Sequence, residues 1–361
     1  MSQSRTAFVT FFPIRPNNMG SSTVVNSRFI NWPGKKRLFQ ISHIKKINNK
    51  KIKTIFIKKE NPLYKIFSLP EMTFRILKYL KKTKKNHLIL EGASWIFYSF
   101  FIIFFFKIFL PKTNIIYISH GIESEIRKKY ANFLIVLLTK FLEKLVFKFS
   151  NIVTSVSEKD KKKIKKIYNE NTILLPNAIS LEKITKKKNL KDDYIIYSGS
   201  YHYKPNRDAI NLLNEYIMPS LIKKIPHIKL VLTGGGFKES FPWLKNKGIV
   251  SKKNLYNLIF YSKCMCVPLT FGYGTRIKII EALSLGAVVI STKKGIEGIK
   301  LKNNNPPFVI SDIKLFPNKI IEIINNNYKY KKKSIYEKNF YLREYSMHNI
   351  IRKFINENKI K

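Results

Sequence analysis

Short apolar runs alternate with longer mixed stretches along the 361 residues, and this rhythm predicts strands and helices in turn. Residues 6–12 read as a first strand, 13–22 as a loop containing Gly20, and the stretch to about 31 as a helix. A strand is predicted at 52–57, a helix at 70–80 and a strand at 87–90, leading into Glu91, Gly92 and an aromatic helix at 95–106. The strand at 114–119 ends in His120 and Gly121. Residues 125–149 read as one long helix, 152–156 as a strand, and Ser157 as the cap of a basic helix. After a charged linker at 183–191 the rhythm resumes. A strand at 194–198 runs into Gly199 and Ser200, a helix follows to about 224, and a strand at 228–233 ends in Gly234, Gly235 and Gly236. Helices at 252–261, 315–326 and 344–356 and a strand at 308–310 complete the series. Strand–helix repetition implies parallel sheets, whose ligands bind beyond the carboxyl ends of the strands.

The most informative stretch is VPLTFGYGTRIKIIEALSLGAVVISTKKGIEG, residues 267–298. A buried strand at 263–267 is closed by Pro268, and Gly272 and Gly274 bracket Tyr273 in a loop. Thr275 is placed to cap a helix over 276–285, Gly286 to end it, and 287–291 to form the next strand. Arg276 and Lys278 then fall in the first helical turn, where the dipole disfavours cations and a bound anion would reverse the penalty. Glu281 lies one turn on, among Ile279, Ile280, Ala282 and Leu283. Such a carboxylate needs ligand hydroxyls or a partner, and a surface pair with Lys278 is the simpler reading.

Gly272, Gly274, Thr275, Arg276, Lys278, Glu281, Ala282, Gly286, Val289, Thr292, Gly295, Glu297 and Gly298 together resemble the donor-binding motif of retaining family 4 glycosyltransferases, glycosyl transferases group 1. Where the common form has a first glutamate, this chain has Tyr273. The segment YSGSYHYKPNRDAINLL resembles the opening of that family's nucleotide domain, ILLPNAI the turn closing its first domain, and REYSMHNIIRKF its terminal helix. The resemblance implies an α/β fold of GT-B architecture: two Rossmann-like parallel-sheet domains facing a cleft, with a C-terminal helix returning to the first. The implied domains are 1–182, 192–342 and the bracing helix 343–361. It also implies transfer of a sugar, of hexosyl type, from a nucleotide diphosphate sugar to an acceptor hydroxyl, with retention and without metal or other cofactor.

Arg276, Lys278 and the helix N-terminus would stabilise the departing diphosphate, with Gly274 and Thr275 lining it and Glu281 accepting from the ribose. Gly20 and Ser21 are the candidates for a phosphate-facing glycine loop in the first domain, against an ordinary turn. His120 corresponds to a histidine near the transferred sugar, against a generic loop histidine. Gly199, Ser200, Lys204 and Arg207 are further donor candidates, the two cations being equally readable as solvated.

Charge extends this picture. Lys and Arg number 68 against 22 Asp and Glu, so the formal charge of +46 asks for an anionic partner. Residues 35–85 alone hold 17 Lys and Arg against Glu60 and Glu71. Lys140, Lys144 and Lys148 recur every four residues beside Phe141, Leu142, Leu145, Val146 and Phe149, a stripe suited to an anionic membrane surface. The apolar run at 95–106 is short for a span and suits a buried or membrane-touching helix. The acceptor implied is a lipid-linked or cell-surface polysaccharide intermediate. No signal peptide is visible, and Cys264 and Cys266 are placed as core residues of a reducing compartment, so the expected location is cytoplasmic, peripheral at the inner face of the membrane. A sugar-nucleotide epimerase of the same architecture is the alternative enzyme. A nucleic-acid-binding protein is the alternative suggested by charge alone, and no RNA or DNA module accompanies it.

Overall fold

The short apolar runs form two parallel sheets whose strands are buried along most of their length, as parallel sheets require, while the longest apolar runs, at 100–106 and 133–138, lie in helices. A computed structural model describes residues 4–14, 20–44, 47–83, 85–128, 131–181, 193–272, 275–302 and 307–360. Two compact units emerge, Met1–Ala178 with Met347–Lys361, and Ile179–Ser346.

In the first unit the elements are β1 (Arg5–Thr10), α1 (Gly20–Asn31), β2 (Lys35–Ser42), β3 (Ile52–Phe56), α2 (Pro62–Leu80), β4 (Asn86–Glu91), α3 (Ile96–Phe109), β5 (Asn114–Ser119), α4 (Glu123–Arg127), α5 (Phe133–Phe149), β6 (Ile152–Ser155), α6 (Glu158–Tyr168) and β7 (Ile173–Leu174). The sheet runs β3-β2-β1-β4-β5-β6-β7, all parallel, with Phe8 opposite Leu38 on one side and Ile89 on the other. The strand order reverses between β1 and β4, which makes the carboxyl ends there the expected ligand position.

The second unit holds β8 (Tyr194–Ser198), α7 (Lys204–Asn211), a π-helical segment continuing into α8 (Met218–Ile222), β9 (Lys229–Thr233), β10 (Leu244–Asn246), α9 (Lys252–Tyr261), β11 (Cys264–Val267), α10 (Ile277–Leu285), β12 (Val289–Thr292), β13 (Phe308–Ile310), α11 (Phe316–Asn325) and α12 (Asn327–Glu344). Its parallel sheet runs β10-β9-β8-β11-β12-β13 and reverses between β8 and β11. The last helix, α13 (Met347–Glu357), belongs to the first unit, where Phe354 meets Trp32 of α1 with ring centroids 6.1 Å apart.

Several elements differ from the sequence reading. β2 is an additional strand, whose pattern is hidden by three leading cations and by Gln40. That buried amide accepts from the Ile14 N–H at 2.9 Å and donates to Thr54 Oγ1 at 3.1 Å. The single helix expected at 125–149 is two. Asn132 starts α5 by accepting from the Ile135 N–H, and Glu143 reaches back from α5 to cap α4 through the N–H groups of Glu123 and Ser124. The lysine-rich stretch after residue 326 is α12, which buries Ser334, Glu337 and Tyr341 at helical spacing. Gly20 is the first residue of a helix rather than part of a loop. The linker 183–191 lies outside the described residues.

Candidate active site

At the strand reversal of the second unit, β8 ends at Ser198 and Gly199 continues from it, its N–H donating to the Thr233 carbonyl at 2.8 Å. A Cβ on Gly199 would stand 2.7 Å from the Asn206 amide and 2.8 Å from Lys278 Nζ, so only glycine leaves room for that ammonium. Lys278 extends from the first turn of α10 and donates to Tyr197 Oη and Asn206 Oδ1, each at 2.9 Å. Its Nζ also lies 4.1 Å from the Tyr197 ring centroid. Burial, and then the charge of Arg276, push the Lys278 pKa down to about 7, with Glu281 only partly opposing them.

Arg276 is the helix N-cap residue, in place of Thr275, which the sequence pattern put there. The Arg276 side chain makes no capping hydrogen bond to this helix end. The Arg276 guanidinium folds back against the preceding loop. Gly272 has φ +126°, and a Cβ there would lie 2.8 Å from Arg276 Nη2. The residue is buried, and burial holds its pKa below the ordinary arginine value. The Arg276 and Lys278 side chains and the N-terminal end of α10 thus meet at one strand reversal. Tyr273 and Gly274 lie outside the described residues. Thr275 is near Gly298, whose Cβ would come within 3.7 Å of Thr275 Oγ1.

Glu281 is buried and does not pair with Lys278, so the surface-pair reading fails. Its Oε1 accepts from Lys252 Nζ at 2.5 Å and from Tyr256 Oη at 3.1 Å, both on α9. Glu281 Oε2 takes no hydrogen bond among the described residues. The Ser200 carbonyl accepts from Asn206 Nδ2 at 3.0 Å, beside the cluster. Lys204 is exposed, pairs with Asp208 at 2.9 Å and lies 4.9 Å from the Phe271 ring centroid. Arg207 is exposed on α7. The structure therefore groups Gly199, Arg276 and Lys278 closely and leaves Lys204 and Arg207 in solvent. Tyr197, Asn206, Lys252 and Tyr256 are members that the sequence reading missed. The first two lie in the matched segment YSGSYHYKPN, where a tyrosine ending a strand and an asparagine opening a helix were legible signals.

In the first unit Gly20 and Ser21 open α1, and the Ser21 side chain lies outside what the structure describes. His120 follows β5 directly, and its Nε2 lies 2.7 Å from Oε2 of Glu91, the last residue of β4. Glu123 serves structure. It accepts from the Ile96 N–H at the start of α3 and from Arg127 Nε, and burial raises its pKa to about 7 against the pull of Arg127.

Two parallel-sheet α/β units, with the terminal helix returned to the first, define the GT-B class of fold. Solved structures of that class agree. Anabaena HepE in complex with UDP and glucose aligns at TM-score 0.70 and 10% identity over 98% of this chain and 99% of its own. WaaG, a glycosyltransferase involved in lipopolysaccharide biosynthesis, aligns at TM-score 0.65 and 11% identity over 98% and 99%. Residues 192–326, which include the whole Lys278 cluster, match the family model of glycosyl transferases group 1. An uncharacterised glycosyltransferase of Methanocaldococcus jannaschii is 25% identical over 275 residues, 68% of this chain and 65% of that protein's length.

Proposed function

We propose that this protein is a glycosyltransferase that moves a hexosyl group from a nucleotide diphosphate sugar to an acceptor hydroxyl, with retention of configuration. The observation that carries the reading is the Arg276–Lys278 pair at the start of α10, inside the segment that matches glycosyl transferases group 1. Breaking a sugar–phosphate bond leaves a diphosphate, and these cations supply positive charge where it develops without calling on a metal ion. Glu281, held on one oxygen by Lys252 and Tyr256, offers the other to the ribose hydroxyls. His120 is the first unit's candidate contact for a sugar hydroxyl. HepE structures hold UDP, glucose and UDP-glucose, which makes uridine nucleotides the first donors to test.

The acceptor we infer is lipid-linked, and the outer surface of the first unit supports this. Among the described residues no helix is long and apolar enough to cross a membrane. Yet α5 exposes Phe133 by 76%, Leu134 by 73% and Phe141 by 58%, alongside exposed Lys140, Lys144 and Lys148. The neighbouring α3 exposes Phe104, Ile108 and Phe109, and carries no acidic residue. Apolar rows flanked by cations suit the interface of an anionic leaflet, with the protein peripheral at its inner face. The test is incubation with radiolabelled UDP-sugars and polyprenyl-diphosphate saccharides, with the anomeric configuration of the product read by NMR. Lipid-dependent release of the nucleotide with a retained anomer is expected. Epimerised or hydrolysed sugar without transfer would replace this reading with that of an epimerase-type enzyme.

A further inference from the structure

Arg28 and Glu91 are both 0% exposed, and Arg28 Nη1 lies 2.6 Å from each Glu91 oxygen. His120 Nε2 lies 2.7 Å from the same carboxylate. These side chains come from α1, from the end of β4 and from the residue after β5, beside the strand reversal of the first unit. An ion pair that only tied α1 to the sheet would need the first two residues alone.

The third contact fixes a chemical state. An ionised carboxylate only accepts, so the bond to His120 requires its proton on Nε2, and in the neutral ring Nδ1 is then the acceptor. Burial alone would raise the pKa of Glu91, but the charge of Arg28 and the bond from His120 hold it below the ordinary value, so it remains an acceptor. Arg28 also offsets the carboxylate charge. The imidazole therefore donates to a strong acceptor backed by a nearly neutral pair. The other ionisable groups packed here do not replace this pair. The Tyr117 hydroxyl, in the place a Cβ of Gly92 would occupy, is kept neutral by burial, and Glu123 is committed to Arg127 and the Ile96 N–H.

We propose that Arg28 and Glu91 are the positioning pair of the first unit's site, holding the His120 ring with its proton on Nε2 and reserving Nδ1 for a hydroxyl of the substrate. The proposal rests on the reading of His120 as a substrate contact, but its first test needs no turnover. In protein labelled with ¹⁵N-histidine, the His120 signals are assigned by comparison with His120→Gln. The neutral ring should carry its proton on Nε2, and that proton should exchange slowly with water. A proton on Nδ1, or a freely exchanging one, would overturn the proposal. The second test is the double variant Arg28→Met/Glu91→Met, which replaces a buried pair with apolar volume and leaves no orphan charge. It should unfold cooperatively, show fast exchange at His120, and lose about tenfold or more in kcat with donor KM unchanged. A folded double variant with wild-type kcat and wild-type ring exchange would reduce the pair to a structural tie. A locked ring in a protein without transfer activity would instead count against the proposed function alone, and should the double variant not fold, the wild-type ring spectrum decides.

Discussion

Lys278 carries the most specific consequence at the scale of single residues. Burial and the charge of Arg276 push its pKa down to about 7, and a bound diphosphate would keep it protonated. Binding then takes up a proton as the pH rises above 7, so affinity for a nucleoside diphosphate should fall by up to about tenfold per pH unit from about 7 upward. Calorimetry in buffers of different ionisation enthalpy checks this, and a flat profile would remove Lys278 from the phosphate site. The same shift acts on stability. Between about 7 and the ordinary 10.5 the unfolded lysine binds more protons than the folded one, so stability rises with pH across that window. Glu281→Gln keeps the shape but lowers the acceptor strength, and should raise donor KM severalfold in a protein that still folds. Unchanged KM and kcat would end its ribose role. Arg276, Lys278 and Glu281 were legible in the sequence because their spacing from two glycines is local. Lys252, Tyr256, Arg28 and Glu91 were not, since each meets its partner only after strands distant in sequence are paired.

At the scale of elements, α5 joins the sequence pattern to a testable surface. Its lysine stripe was read correctly as a face, but within one helix where the structure has two. The Asn132 cap and the Glu143 carboxylate that bridges back to α4 create the break, and neither interaction has a helical period. β2 was missed because period-2 reasoning discounts a strand that begins with three cations and buries a glutamine. α12 was missed because its buried positions are Ser, Glu and Tyr rather than aliphatic. For α5 the expected outcome is co-sedimentation with vesicles containing anionic lipid, weakened by salt. Lys140→Glu, Lys144→Glu and Lys148→Glu together should release the protein, each native lysine contributing about 1 kcal/mol near such a surface. Equal pelleting of the triple variant, or no pelleting of the wild type, would leave a soluble acceptor.

At the scale of the whole molecule, both units follow one rule: a parallel sheet whose strand order reverses, with polar side chains gathered at the carboxyl ends beside the reversal. In one unit the cluster is Arg28, Glu91 and His120. In the other it is Tyr197, Asn206, Arg276 and Lys278. The repeat of strand and helix made that fold readable from the sequence, because parallel order follows from the alternation itself. The central claim is that the second cluster binds the diphosphate of a nucleotide sugar. Calorimetric titration with UDP, GDP and ADP and with the matching nucleosides, on wild type and Arg276→Ala, tests it most directly. One nucleoside diphosphate should bind at least about tenfold more tightly than its nucleoside, and Arg276→Ala should remove about 1.5–3 kcal/mol from the diphosphate while sparing the nucleoside. Equal losses for both ligands, or no preference for any diphosphate, would contradict the account.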